Sequence, residues 1–219
     1  MLEQFQMIGR LLFEEGLVHA GSGNMSIRQQ DTILITRTGA LLSQIKEGDI
    51  ISVGLEPGDA DKQASIELPV HRAVYKGSGA QAIIHAHPAY AIALSISEEK
   101  IMPMDAEGKY YLKSIPVVKV HEAVGSAEVA RFLPPIFSGG YRGAVVRGHG
   151  SFTIGADLLE AYKLTSALEN SCKITVIFRK LQQPSQPAPQ AKPHIRDVRR
   201  GPAIPPGIGV MDRSRYHKR

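Results

Sequence analysis

Seven of the chain's fourteen prolines fall between residues 182 and 219, at Pro184, Pro187, Pro189, Pro193, Pro202, Pro205 and Pro206. Proline fixes its own φ and has no amide hydrogen to donate, so neither a helix nor a central strand can run through that stretch. A packed fold is therefore expected in residues 1–181 as one domain. Residues 182–219 are expected to form an extended or disordered appendage. Charge divides at the same place. The appendage holds eight Lys or Arg and two Asp, against 18 and 19 in the rest of the chain. The net charge of +5 is thus a property of the appendage, and the body is near neutral. The basic residues are spaced rather than blocked. That favours a solvated extension and argues against nucleic acid as a partner.

Within the body, apolar stretches alternate with helical patterns. Phe5, Ile8, Leu11 and Leu12 follow helical spacing over residues 2–15, with Gly16 as a stop. Ile33–Ile35, Ile50–Val53, Ala82–His87 and Val117–Val120 read as strands. Ser65 is expected to cap a helix over Leu68–Tyr75, and Ser126 to open another. A helix is expected after Pro88, since proline is tolerated in a first turn. Residues 144–154 read as a hairpin around Gly148 and Gly150, and a helix from Asp157 to about Phe178 closes the domain. Mixed strands and helices with short turns predict an α/β layered domain whose sheet is not all-parallel.

No apolar run approaches the ~18 residues that a membrane span needs. Residues 1–5 lack the basic-then-apolar pattern of a signal peptide. The single cysteine, Cys172, excludes an intrachain disulfide. That fits a reducing compartment, and the expected location is cytoplasmic.

The residues that carry chemistry begin with Ile84-His85-Ala86-His87-Pro88. In a strand, residues i and i+2 share a face, so His85 and His87 aim into one space. Two imidazoles there suit a divalent metal, or form a satisfied hydrogen-bonding pair. His149 stands between Gly148 and Gly150, which let the backbone turn tightly and approach another strand. Three histidines with an open position make a catalytic rather than a closed structural site. Glu67 lies where a loop hands over to a helix. It reads as a metal-side general base or as an acid favoured by the helix dipole. Two turns, Gly21–Ser26 and Thr36–Gly39, offer amides, hydroxyls and the Arg37 guanidinium to an anion, or serve only as turns.

Taken together, Gly23-Asn24-x-Ser26, Thr38-Gly39, Ser65-x-Glu67 followed by Val70-His71, His85-Ala86-His87-Pro88 and His149-Gly150 resemble the class II aldolase/adducin family in order and spacing. The resemblance spans about residues 3–180 and is strongest to members acting on L-fuculose-1-phosphate. It implies a three-layer α/β/α fold with a central, mainly antiparallel sheet flanked by helices. It also implies a homotetramer with active sites between subunits. Zinc would be held by His85, His87 and His149, with Glu67 as fourth ligand and then as acid/base. Cobalt, manganese or iron would suit the same donors. Gly23, Asn24, Thr38, Gly39 and Ser65 match positions that bind the substrate phosphate. The implied activity is an aldehyde-lyase. It would cleave a ketose phosphate to dihydroxyacetone phosphate and an aldehyde through a metal-stabilised enediolate.

Glu rather than Asp at position 67 points to C–C cleavage rather than epimerisation. Three departures stand against the family pattern. Ile66 replaces a serine and cannot donate to phosphate. The family's proton-donating tyrosine has no clean match in 102–111, which leaves Tyr110, Tyr111 and Glu107 as candidates. The proline-rich ending is not the family's, and Tyr216 within it is a further candidate phenol. The alternatives are metal-dependent dehydration, decarboxylation or epimerisation, or a non-catalytic adducin-like binding module. Retention of all three histidines and Glu67 argues for an enzyme.

Overall fold

The alternation of side chains across one central strand decides how this chain layers. The computed structural model describes residues 1–182; the expected appendage beyond Gln182 lies outside the described residues. Eight strands form one sheet: β1 (Asn24–Gln29), β2 (Thr32–Thr36), β3 (Ile50–Gly54), β4 (Ala82–Ala86), β5 (Lys100–Ile101), β6 (Ile115–Val118), β7 (Gly143–Val146) and β8 (Gly150–Gly155). Their order is β3-β2-β1-β4-β8-β7-β6-β5. All neighbours are antiparallel except β6 and β7.

Strand β4 is buried along its whole length, which is why it reads as a continuous apolar run. Its side chains separate two cores. Ile83 joins a core with Val70 and Val74 from helix α2 (Leu68–Gly77) and Val129 and Leu133 from helix α5 (Ala127–Ser138). Ala82, Ile84 and Ala86 face the other side. There they meet Phe5, Ile8 and Leu12 of helix α1 (Leu2–Glu14) and Leu158 and Ala161 of helix α6 (Leu158–Gln182). Helix α3 (Ala89–Ser97) adds Ala91 and Leu94 against Val145, Leu164 and Leu168. Each fully buried Val, Leu, Ile or Phe among them contributes about 1.5–3 kcal/mol of transfer free energy. Helix α4 (Ala106–Tyr111) is a short outlying turn. The result is the expected three-layer arrangement.

Several local expectations hold. α1 ends at Glu14 and Gly16 takes φ +69. The Ser126 hydroxyl accepts from the Val129 amide and opens α5. β7 and β8 form the expected hairpin. Others are corrected. Ser65 does not cap α2: Glu67 holds the cap position, and the Ser65 hydroxyl instead accepts from the Glu67 amide at 3.2 Å. The strand expected at Val117–Val120 runs Ile115–Val118, because Ile115 and Pro116 pair with β5 and only Val117 and Val118 pair with β7. The Gly-rich turn expected at Gly21–Ser26 is half strand, since pairing with β4 starts at Asn24 and pairing with β2 at Ser26.

Candidate metal centre

His85 sits one residue before the end of β4, and His87 follows directly after it. The His87 amide donates to the Leu17 carbonyl at 2.8 Å, so the chain stays fixed beyond the strand. On one side of β4, β1 places Asn24 opposite His85. On the other side, β8 places Phe152 opposite His85 and Ser151 opposite Ala86. The β7–β8 turn therefore opens beside the two histidines, and His149 lies in it. That turn is itself tied down. The Gly148 amide donates to the Ser95 hydroxyl at 3.0 Å, and the Arg147 guanidinium to the Glu98 carbonyl at 2.8 Å.

The three rings converge. Their centroids are 4.8 Å apart for His85–His87, 4.7 Å for His85–His149 and 5.1 Å for His87–His149. One ligand nitrogen from each lies within 4.8 Å of the others. Only glycine fits at position 150: a Cβ there would stand 2.5 Å from the Ala86 carbonyl oxygen and 2.9 Å from the His85 ring.

His85 is oriented twice over. Its Nδ1 lies 3.0 Å from the Ser151 carbonyl, to which it donates, leaving a lone pair on Nε2. Phe152 stacks on the ring at 4.3 Å and 21°. His85 Nε2 then faces His87 Nε2 at 3.0 Å. Burial is the main cause holding all three imidazoles below their ordinary pKa: His87 at about 4, His149 lowered, His85 well below. Near neutral pH they are uncharged, and the His85 Nε2 lone pair is open to a hydrogen bond from His87 Nε2 or to a cation.

Glu67 completes the group. Its Oε1 accepts from the Gly125 amide at 2.9 Å and lies 3.9 Å from His149 Nε2. Its Oε2 is buried and has no hydrogen-bond partner. Burial pushes the carboxyl up to about 7, against the opposing pull of the Gly125 amide. A buried carboxylate oxygen without a partner is unfavourable alone. A divalent cation would partner that oxygen and three neutral imidazoles together, so the donor set fits a metal.

The group opens into a cavity of about 140 Å³ lined also by Gly23, Asn24, Thr38, Gly39, Ser65 and Ile66. The structure thus brings Gly23, Asn24, Thr38, Gly39 and Ser65 to one cavity with the histidines and Glu67, while Ser26 is turned to His71 and Tyr75. The donors are already partly used. The Thr38 hydroxyl donates to the Ala64 carbonyl at 2.9 Å, and Arg37 pairs with Asp49 at 2.6 Å. The Asn24 Oδ1 is buried without a partner. Tyr110 and Tyr111 stand on α4, away from this cavity and exposed. Tyr111, with Glu107, lines a separate cavity of about 480 Å³ beside Arg142 and Lys163. Tyr216 lies outside the described residues. Sequence reasoning missed Gly125, Val124, Phe152 and the Ser151 carbonyl. Gly125-Ser126 at a helix start was the one local signal, and it reads as a cap rather than as a site.

The family model for the Class II Aldolase and Adducin N-terminal domain matches residues 3–176. The chain belongs to this family. L-fuculose phosphate aldolase of Methanocaldococcus jannaschii is 31% identical over 176 residues, covering 80% of this chain and 95% of the relative. Methylthioribulose-1-phosphate dehydratase of Acidiphilium cryptum is also 31% identical over 176 residues, covering 74% and 83%. Among solved structures, L-fuculose-1-phosphate aldolase from Thermus thermophilus superposes with a TM-score of 0.79 at 37% identity, covering 85% of this chain and 97% of that one. Class II aldolases are metal-dependent, and the histidine cluster fits that requirement. Among the described residues, no helix of this class II aldolase family member is long and apolar enough to cross a membrane.

Proposed function

We propose that the chain is an aldehyde-lyase cleaving a ketose phosphate of the L-fuculose-1-phosphate kind to dihydroxyacetone phosphate and an aldehyde. The observation that carries this reading is Glu67: a buried carboxylate with one oxygen pinned by Gly125 and the other unpartnered, beside three neutral imidazoles. His85, His87 and His149 hold zinc in this reading, with Glu67 as fourth ligand. Cobalt, manganese or iron suit the same donors. The bound ion supplies Lewis acidity to adjacent substrate oxygens.

In the cleavage direction, the C4 hydroxyl gives its proton to an aldehyde-side phenolate and the C3–C4 bond breaks. The electron pair passes to C3, and Glu67 returns a proton there. The short reach of its side chain from the start of α2 and its fixed Oε1 keep the transferring oxygen in place. Gly23, Asn24, Thr38, Gly39 and Ser65 hold the phosphate. Tyr110 and Tyr111 reaching from a neighbouring subunit, and Tyr216, are the candidates for that aldehyde-side phenol, which donates the proton back to the aldehyde in the reverse direction, with active sites between subunits of a cytoplasmic homotetramer.

The test is a coupled assay for dihydroxyacetone phosphate release from L-fuculose-1-phosphate. It is run with zinc, with chelator, and on Glu67→Gln. Turnover should vanish with chelator and fall at least ~100-fold in the variant. No turnover from zinc-replete protein would sink the reading. A second reading, metal-dependent dehydration of a sugar phosphate, draws on Ile66. An exposed apolar side chain stands there beside Ser65 in a cavity otherwise rich in donors. Loss of water from methylthioribulose-1-phosphate by the zinc-loaded chain would support it.

A further inference from the structure

Two large apolar side chains stand exposed on the wall of the histidine cavity. Ile66 is 58% exposed and Val124 57%, while their neighbours Ser65 and Glu67 are 6% and 2%. Isolated exposed aliphatics need no explanation. These two are not isolated. They come from loops 58 residues apart, and the loops are locked together. The Gly125 amide donates to Glu67 Oε1, and the backbone at Gly125 runs so close to Ile66 that a Cβ there would stand 2.6 Å from the Ile66 carbonyl oxygen. The bond that fixes the carboxylate therefore also fixes an apolar lip beside it. The rest of the lining includes the polar side chains of Ser22, Asn24 and Thr38.

We infer that Ile66 and Val124 are specificity-determining residues that select substrates carrying an apolar segment next to the oxygens gripped at the histidines. A chain of hydroxyls along the lip would lose water without gaining a partner, since neither side chain hydrogen-bonds. A methylene or thioether passing there gains burial. This inference rests on the proposed metal site, and the test separates the two.

The probes are acetohydroxamate and hexanohydroxamate, which share one metal-chelating head and differ in alkyl length. Each is titrated calorimetrically into the full zinc-loaded chain, with the zinc-free chain as control. Each methylene moved out of water is worth about fourfold in affinity. Hexanohydroxamate should bind on the order of tenfold tighter than acetohydroxamate, as expected if about two methylenes reach the lip. In Ile66→Ser and, separately, Val124→Ser, that ratio should fall to within about twofold of one. Equal binding of the two probes to the native chain, both zinc-dependent, overturns the lip and leaves the metal site standing. A length preference that survives both substitutions also overturns it. Failure of both probes to show zinc-dependent binding overturns the metal reading and the lip with it.

Discussion

Gly125 donates its backbone amide to Glu67 Oε1 at 2.9 Å across 58 residues of sequence, while Glu67 Oε2 has no hydrogen-bond partner. One oxygen is held by the fold and the other is buried without a hydrogen-bond partner. Gly125 has φ +56, and a Cβ there would clash with the Ile66 carbonyl at 2.6 Å. Gly125→Ala should therefore shift the 123–125 loop and release the carboxylate. The expected cost is about 1–3 kcal/mol of stability, read by urea unfolding. Turnover should drop by more than that loss accounts for at a temperature where the variant is still folded. Full turnover in a destabilised variant would show that the amide bond is not needed.

Metal should stabilise the chain through the three imidazoles. Zinc at about 100 times its dissociation constant should add roughly 2.7 kcal/mol, which for a chain of this size raises the melting temperature by about 5–10 °C. His149→Ala should remove most of that increment while changing the zinc-free melting temperature far less. A zinc shift of equal size in native and variant protein would place the ion elsewhere.

Much of this arrangement is legible in the sequence, and the reason differs by residue. His85 and His87 share a face by strand periodicity, and the glycines around His149 announce a tight turn. What cannot be read locally is pairing between distant segments. Nothing near Phe152 says that it lies under His85; the β4–β8 register does. The same holds for the buried chain in which Ser26 lies 2.7 Å from both His71 Nδ1 and the Tyr75 hydroxyl. Strand β1 reads as a turn because Gly21 and Gly23 dominate its entrance. Helix α5 is announced only by its cap, since Pro134 and Pro135 within it are poor helical signals. The family resemblance supplies ligand roles but not Gly125, whose role depends on a loop closing over Ile66.

Acid should weaken the fold through Asp61. Its carboxylate takes two guanidinium bonds from Arg72, at 2.7 and 2.8 Å, and Arg72 also donates to the Gly54 carbonyl, so the pair ties α2 to the end of β3. The Arg72 hydrogen bonds hold the Asp61 pKa below its ordinary value despite burial. A carboxyl whose folded pKa is depressed stabilises the fold above its unfolded value of ~3.9, and the contribution is lost as pH falls through the folded value. Asp61→Asn should cost about 1–3 kcal/mol at pH 7. The gap from the native protein should close below about pH 4. A gap unchanged between about pH 7 and pH 3 would mean that the pair contributes by shape rather than by charge.

Phe152 offers the sharpest separation of packing from positioning. It stacks on His85 at 4.3 Å, and its neighbour Ser151 holds His85 Nδ1 through its carbonyl. Phe137 belongs to the same core, and the ring stacked on His85 is that of Phe152. Phe152→Leu and Phe137→Leu each leave a gap in that core, and both should cost stability. Only the first removes the flat surface that sets the His85 ring plane. Loss of a hydrogen-bonding partner that orients a metal ligand lowers metal affinity about 10–100-fold, and loss of a stacking partner is expected at the low end of that range. Competition with a zinc-binding dye should therefore show about a tenfold weaker site in Phe152→Leu and a native one in Phe137→Leu. Equal weakening in both would mean that His85 responds to core looseness in general. Native affinity in both would mean that the Ser151 carbonyl alone sets the ring.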